Sequence, residues 1–593
     1  MNIRKGSIVL LILCVGWACQ FCFAKQHPNK TETYGDITVS VVSVQDDRHH
    51  GYAENIINIK NHSLDRIYRV TLSSANEDLT KTVAVPANQE IEVPFLQTPT
   101  NSGAYCLKVE INGRIQEKGI EVDFSNLHSS YDRYSSKKDI AINILLGKDV
   151  SYDTFSKAFK KAEEVKKSKY DSSCSSDNER DIDFQTIESK NYTWSTNWLA
   201  YTAYDGIVIT AEEMNSLPAN AADAIMKYVR CGGSLLILGK ANIKPIYIKN
   251  IEVSDPLLFC YIDFGVCVLN ELKNPWSWSK DTWDMLDSRA WKQTAPELMR
   301  YREIAAENDE FKIVESLAVP IRGLFSFVLV FAIIIGPVNL FVLHKMNKRI
   351  WMLWTVPVIS IVTSIAVFAY CLLSEGLDSN SRIRSITILN QNTATATTLG
   401  IEAFYCPLTP RGGLKFENET EVTPIGIDPY GYRSNRNRTV DWTECQNWNR
   451  GWVIGRVPAH FLMRKNQTCS QSISITDSNQ GPVAKNFFEN TISILWYADK
   501  DGKIYSTKNI APLAKAALGQ TKFVCDSSKA VWRETLAGSW ASIYDRIIER
   551  PQNYLTPGTY LAVVNDFSFI EQPLKNIKNQ KIETLVFGTL DGF

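Results

Sequence analysis

Residues 324–343 read LFSFVLVFAIIIGPVNLFVL and residues 350–373 read IWMLWTVPVISIVTSIAVFAYCLL. Between them lies only the hexapeptide His344-Lys345-Met346-Asn347-Lys348-Arg349. The first stretch runs twenty residues and the second twenty-four without a charged side chain. At 1.5 Å rise per residue, either one as a helix crosses a hydrocarbon core of about 30 Å. The hexapeptide is too short to hold a domain, and Lys345, Lys348 and Arg349 assign it to the cytoplasmic side. Trp351 and Trp354 follow at the depth of an interfacial aromatic belt. The reading is a two-helix transmembrane hairpin: helix 324–343, cytoplasmic loop 344–349, helix 350–373. Gly336-Pro337 is expected to bend the first helix, and Asn339 to hydrogen-bond the neighbouring helix or the carbonyls that the proline frees. Two uncharged helices do not make a pump or an ion channel by themselves.

The hairpin fixes how the flanks are read. Arg4 and Lys5, an apolar run from Ile8 to Ala24 and the polar Lys25-Gln26-His27-Pro28 make residues 1–24 a signal peptide, with cleavage expected after Ala24. Signal peptide and hairpin agree, so both large flanking regions are expected outside the cytoplasm, on a cell membrane (the inner membrane of a Gram-negative cell). At 593 residues the chain is too long for one core. With 64 Lys+Arg against 64 Asp+Glu there is no electrostatic case for nucleic acid. Aromatic residues at 11% argue against a disordered scaffold.

Residues 36–125 carry seven short β-branched or alternating runs, from Ile37–Val44 to Ile120–Phe124, with turns at Asn61-His62-Ser63, Pro86-Ala87-Asn88 and Asn112-Gly113. That spacing predicts an immunoglobulin-like β-sandwich. His49 and His50 sit side by side in it and read as a solvated polar loop, since a metal site needs convergent ligands. Residues 382–593 are again strand-rich, with runs including Ile383–Leu389, Gly400–Cys406, Gly451–Val457, Thr491–Tyr497 and Thr584–Phe587; residues 509–546 read as helix-prone. This predicts a β-rich exported domain. His460, alone beside Phe461, reads as packed. Cys406, Cys445, Cys469 and Cys525 suffice for two disulfides or four free thiols, and the sequence favours neither.

Between about 138 and 300 the pattern alternates strand and helix. Asp139–Leu146, Asp183–Ile187, Gly206–Thr210 and Ser234–Leu238 are strands, and Ser151–Lys167 is a helix. A second helix carries Ile225, Tyr228 and Val229, with Ser216 as its expected cap and Pro218 in its first turn. Alternation of this kind predicts a parallel sheet covered by helices. Trp198-Leu-Ala-Tyr-Thr-Ala-Tyr-Asp205-Gly-Ile-Val-Ile-Thr210, with Ala224-Ile-Met-Lys-Tyr-Val-Arg-Cys-Gly-Gly-Ser-Leu-Leu-Ile-Leu-Gly239, resembles the class I glutamine amidotransferase-like fold. In particular it is similar to the version that uncharacterised bacterial membrane proteins carry outside the cytoplasm. Those proteins also have a hairpin like Gly336-Pro337-Val338-Asn339…Arg349-Ile350-Trp351…Pro357 and C-terminal patterns like Tyr497-Ala-Asp-Lys-Asp-Gly502 and Pro557-Gly-Thr-Tyr560-Leu-Ala562. The resemblance runs from about residue 36 to 590. It implies a multidomain α+β membrane protein: β-sandwich, flavodoxin-like/amidotransferase-like α/β domain, two-helix transmembrane hairpin and C-terminal mostly-β domain. It also implies a membrane-protein partner, an ABC-type export or envelope-maintenance system being one class.

Catalysis does not come with the fold. An active enzyme of this class exposes a Cys nucleophile on a tight strand-to-helix turn, in a Gly-x-Cys-x-Gly setting beside a His and a Glu. No such sequence occurs. Cys231 precedes a strand, Cys260 lies inside Leu258-Phe-Cys-Tyr-Ile262, and no His falls between His128 and His344. Beyond residue 24 no His-x-x-x-His or Cys-x-x-Cys spacing and no Gly-rich phosphate loop is present. Catalytic, cofactor and metal residues are therefore none. The expectation is a non-enzymatic membrane-anchored envelope protein, an interaction module or accessory subunit. Two alternatives remain at this stage. One is a glycan or envelope-polymer binder using the cluster Trp276, Trp278, Trp283 and Trp291, whose commoner role is packing. The other is a thiol-dependent hydrolase or amidotransferase using Cys231 or Cys260.

Overall fold

The computed structural model describes residues 31–43, 50–74, 79–99, 106–122, 142–169, 182–186, 194–240, 250–272, 278–291, 308–309, 311–313, 321–375, 378–425, 438–478, 481–521, 555–574, 577 and 579–590. The expected signal peptide, residues 1–24, and His49, His128, Trp276 and Cys525 lie outside the described residues. The chain is mixed α+β and rich in strands, which among the described residues form five sheets.

All seven expected N-terminal runs contain a strand, and alternation orients them. In Ile37–Ser43 and Ala53–Asn61, Ile37, Val39, Val41, Ile57 and Ile59 turn to the core. These strands form one antiparallel sheet in the order Thr31–Tyr34, Ile37–Ser43, Ala53–Asn61, Glu90–Gln97. A second sheet begins with Leu79–Val85, Tyr68–Ser74 and Cys106–Ile111. That second sheet does not end within the N-terminal region. Thr439–Asp441 pairs parallel with Leu79–Val85, Val440 opposite Leu79 and Asp441 opposite Thr80. Gln446–Arg450 and Leu414–Phe416 continue it. The Trp442 N–H donates to the Thr80 carbonyl at 2.8 Å, and the Thr82 N–H to Thr443 Oγ1 at 3.1 Å. Strands from either side of the apolar hairpin thus share one sheet, where the sequence suggests two separate outer regions.

The α/β sheet holds seven strands. Five run parallel in the order Ile182–Thr186, Ile142–Leu146, Gly206–Thr210, Ser234–Leu238, Gly265–Asn270. Leu257–Ile262 and Asn250–Ser254 complete it antiparallel. Ile142–Leu146, Gly206–Thr210 and Ser234–Leu238 are buried at every position, as a sheet covered on both faces requires. The helix Ala219–Arg230 lays Ala221, Ala224, Ile225, Tyr228 and Val229 against it. Ser216 does not cap this helix. It ends a separate short helix, Ala211–Ser216, whose cap is Thr210, Oγ1 accepting the Glu213 N–H at 3.1 Å. Pro218, with no N–H to lose, opens the longer helix.

A nine-stranded sheet dominates the C-terminal part, in the order Glu421–Ile425, Ala459–Thr468, Thr395–Tyr405, Asn380–Asn390, Asn579–Thr589, Thr559–Asn565, Ile492–Ala498, Ile504–Ile510, Gly519–Gln520. Only Asn380–Asn390 and Asn579–Thr589 pair parallel in it. A three-stranded sheet of Ile473–Ser478, Gly481–Asn486 and Lys515–Ala517 stands beside it. Two expectations fail here. Residues 451–457 form turns rather than a strand, with Gly451 at φ 74° and Arg456 at φ 67°. Residues 509–521 form strands and turns rather than the start of a helix, because Asn509 and Leu513 take φ 54° and 59° and Pro512 lacks an amide hydrogen. Residues 522–546 of that stretch lie outside the described residues.

The hairpin comprises Ile321–Ile333, a π-helical turn Ile334–Val338, Asn339–Lys345 and Met352–Glu375. Two helices are long and apolar enough to cross a membrane. Leu353 is 78% and Trp354 73% exposed, an outward apolar face that water does not suit. Pro337 sits inside the π turn, which widens the helix where the ring would otherwise meet the preceding turn's carbonyl. Asn339 Nδ2 donates to Thr355 Oγ1 at 2.9 Å, the interhelical bond expected of it.

Candidate functional site

The thiols are the first candidates for chemistry, and the fold seals them. Cys231 ends the helix Ala219–Arg230, its N–H donating to the Lys227 carbonyl, and is fully buried. Burial drives its thiol far above the ordinary range; the charges acting on it are Arg464, Glu421, Asp263 and Arg230, with no histidine among them. Cys260 lies directly opposite Cys267 in the hairpin Leu257–Ile262/Gly265–Asn270. Both are buried and unbridged, and burial raises both thiols. A nucleophilic cysteine needs thiolate at neutral pH, and these environments oppose it. Cys406, Cys445 and Cys469 are likewise unbridged.

Polar side chains converge instead on a seam where the N-terminal strands, the α/β sheet and the C-terminal strands meet. His50 corrects its sequence reading as a solvated loop residue. It is buried, its Nε2 3.0 Å from Asp205 Oδ1. Asp205 Oδ2 accepts the Asn143 N–H at 2.8 Å. What pulls this loop inward is Gly51, at φ +68°, where an added Cβ would lie 2.1 Å from the Thr202 carbonyl oxygen. Only glycine permits that approach. The next residue ties all three parts together. The Tyr52 N–H donates to Thr202 Oγ1 at 2.9 Å. Its hydroxyl donates to Gln446 Oε1 at 2.6 Å and accepts the Val422 N–H at 3.1 Å.

Glu54, two residues further and on the strand Ala53–Asn61, accepts Ser195 Oγ–H at 2.8 Å. Burial pushes its carboxyl up to about 7, with Ser195 and Lys81 pulling the other way. Arg464 pairs with Glu421 through both Nε and Nη2, the latter at 2.7 Å, and Nη1 donates to the Cys231 carbonyl at 3.1 Å. Lys465 reaches Glu571 at 2.8 Å and Glu417 at 3.0 Å. Burial alone would raise the Glu571 carboxyl, and Lys465 beside it holds it below the usual range instead. Around these polar groups runs one continuous apolar core that includes Ile57, Trp198, Ile225, Trp448 and Phe461. The seam braces the parts against one another through these side chains, and the one hydroxyl beside a carboxylate in it, Ser195 on Glu54, is buried. Among the described residues no group of three or more His, Cys, Asp or Glu side chains is placed to hold a metal ion.

The tryptophans pack rather than line a groove. Trp278, Trp283 and Trp291 are buried in the core of the α/β sheet, with Trp278–Trp283 ring centres 4.9 Å apart and Phe155 edge-on to Trp283 at 5.2 Å. His460 is packed as expected, its Nε2 3.1 Å from the Phe311 carbonyl oxygen, and burial lowers it to about 4. Sequence reasoning missed Glu54, Tyr52, Glu421 and Arg464. The one local signal was Gly51 beside His50, which marks a close backbone approach without naming its partner.

No protein-family model matches the chain, and no curated protein sequence does. Among solved structures, the yeast delta-COP-I mu-homology domain complexed with a Dsl1 WxWxV peptide aligns at 8% identity, covering 36% of this chain and 96% of that one, with a TM-score of 0.17. A likeness at that score carries no argument about fold or function.

Proposed function

We propose that the chain is a non-enzymatic, membrane-anchored envelope protein, an interaction module or accessory subunit of a larger membrane assembly. In this reading the hairpin 324–343/350–373 is the anchor. The immunoglobulin-like strands, the amidotransferase-like α/β sheet and the C-terminal β-rich part form one body outside the cytoplasm. The observation that carries it is the seam. Its buried polar side chains, those that sequence reasoning would first examine for chemistry included, brace one part of the body against another. A body built this way presents a fixed outer surface to a partner. The parallel pairing of Thr439–Asp441 with Leu79–Val85 supports the topology, because strands that share a sheet must lie on one side of the membrane and two crossings return the chain to that side. Burial of Cys231 and Cys260 weighs against thiol chemistry, and burial of Trp278 against sugar stacking there. An ABC-type export system is a class of partner to look for.

The test is in-membrane crosslinking of tagged full-length protein, followed by mass spectrometry of what co-purifies in mild detergent. A stoichiometric membrane-protein partner is the expected result. Recovery of the protein alone, together with rapid labelling of a native thiol by an electrophilic probe at neutral pH, overturns the reading.

A further inference from the structure

A cleft of about 580 Å³ opens at the end of the parallel strand pair Asn380–Asn390/Asn579–Thr589. Its walls include Lys312, Asn380, Arg382, Asn579 and Lys581, three cations and two amides, and among the described residues no carboxylate lines it. The parallel register explains the grouping, since Asn380 stands opposite Asn579 and Arg382 opposite Lys581, placing all four on one face of the sheet. Two residues beyond Lys581, Glu583 is held by Arg384 at 2.7 Å, with Lys581 3.6 Å away, and the buried Glu402 accepts Ser381 Oγ–H at 3.2 Å. Among the described residues, neither Lys312 nor Arg382 has a carboxylate partner. Arg382 is fixed in place, its Nη1 donating to the Lys312 carbonyl at 2.7 Å and its guanidinium 4.6 Å from the centre of the Phe311 ring. Its Nε is shut off from solvent without an acceptor. A guanidinium fixed in this way and flanked by exposed lysines is a donor set that phosphate oxygens satisfy.

The cleft is also lined by residues that lie close in sequence to both ends of the apolar hairpin. Lys312 precedes the helix that starts at Ile321, and Asn380 follows the helix that ends at Glu375 by five residues, at most about 18 Å of extended chain. We propose that this cleft binds an anionic phosphate group, carried by a phospholipid headgroup or by a soluble phosphate compound. The site goes beyond the accessory-subunit reading and stands or falls apart from it. Burial and the neighbouring Arg384 push the Arg382 guanidinium below its usual range, a stress that a bound anion relieves.

The experiment uses purified, delipidated full-length protein in mild detergent. Short-chain phosphatidylglycerol, short-chain phosphatidylcholine and inorganic phosphate are titrated separately, with native mass spectrometry counting bound ligand. The comparison is with Lys312→Gln/Lys581→Gln, whose two side chains are exposed and outside the core, and with Arg382→Lys. The double variant is expected to bind about thirtyfold more weakly, roughly fivefold for each lysine. Arg382→Lys is expected to weaken binding while keeping the charge, because it loses the planar fork. Binding of phosphatidylglycerol without inorganic phosphate assigns the site to a headgroup, and the reverse assigns it to a soluble phosphate compound. Equal binding by the double variant, no preference for phosphatidylglycerol over the zwitterionic lipid in the absence of phosphate binding, or no binding of either anion overturns the proposal.

Discussion

Replacing Glu54 by glutamine isolates one pH-dependent strain that the seam carries. Glu54 titrates at about 7 in the folded chain because burial disfavours its charged form, against an ordinary value of 4.5. Between those values the folded state holds a proton that the unfolded state has released. The stability this contributes is complete below pH 4.5 and is lost as pH rises through 7. A displacement of that size corresponds to about 3 kcal/mol. In Glu54→Gln the side-chain amide keeps an acceptor for Ser195 Oγ–H and removes the ionisation. Relative to wild type, the variant should gain about 3 kcal/mol between pH 5 and pH 8, or about 3 °C in the unfolding midpoint of a body of roughly 500 residues. His460 requires the comparison to be a difference. Its folded value of about 4 lies below the ordinary 6.5, so its contribution is present above pH 6.5 and is lost as pH falls through 4. The two slopes oppose each other between pH 4.5 and 6.5, and wild type alone hides both. Thermal unfolding followed by tryptophan fluorescence in mild detergent, at four pH values from 5 to 8, gives the difference curve. A gap between variant and wild type that stays constant over that range refutes the reasoning.

Gly51→Ala places a Cβ 2.1 Å from the Thr202 carbonyl oxygen at a φ of +68°; it should cost at least about 1–3 kcal/mol and speed proteolysis of the seam, whereas Gly412→Ala, with open space around its Cβ and no left-handed φ, should not speed it. Arg464→Met should destabilise by about 3–5 kcal/mol, since it strands the Glu421 carboxylate; adding Glu421→Leu should recover most of that loss, and a double variant as unstable as the single contradicts this account. Cys231, Cys260 and Cys267 should react with a maleimide only after denaturation, as peptide mapping of native and unfolded samples would read. Tyr52→Phe should cost about 1–3 kcal/mol by leaving the Val422 N–H without its acceptor, visible as faster hydrogen exchange in the strand Glu421–Ile425.

What was legible in the sequence was local. The uncharged runs around His344–Arg349 announce two helices by length alone, and Pro337 marks its own irregular turn. Alternation locates Ile37–Ser43 and Ala53–Asn61, and all-apolar runs locate Gly206–Thr210 and Ser234–Leu238, nearly to the residue. Failures came where a distant contact or a single backbone angle decides. Residues 451–457 have strand composition, but Gly451 and Arg456 take left-handed angles that end pairing. Residues 509–521 include good helix formers, yet Asn509 and Leu513 do the same. His50 has the surroundings of a polar loop, and its burial depends on Asp205, 155 positions further along. No periodicity encodes such a separation.

The same distance argument bears on why the polar residues are where they are. Apolar contacts tolerate many relative placements of two sheets, because they are nearly non-directional. A chain that leaves one sheet near residue 85, crosses a hairpin and returns near residue 439 must find one register among many. Val440 opposite Leu79, Thr443 Oγ1 on the Thr82 amide and Tyr52 bridging Thr202 to Gln446 each demand a single alignment. An unmet buried polar group costs more than a met one gains, so a slipped register is penalised at every one of these points. Much of the seam's polarity therefore goes into specifying an assembly that apolar area alone leaves undetermined. Residues that hold this register are committed to it, so the proposed interaction is to be sought first on the body's surfaces and in the cationic cleft near the hairpin.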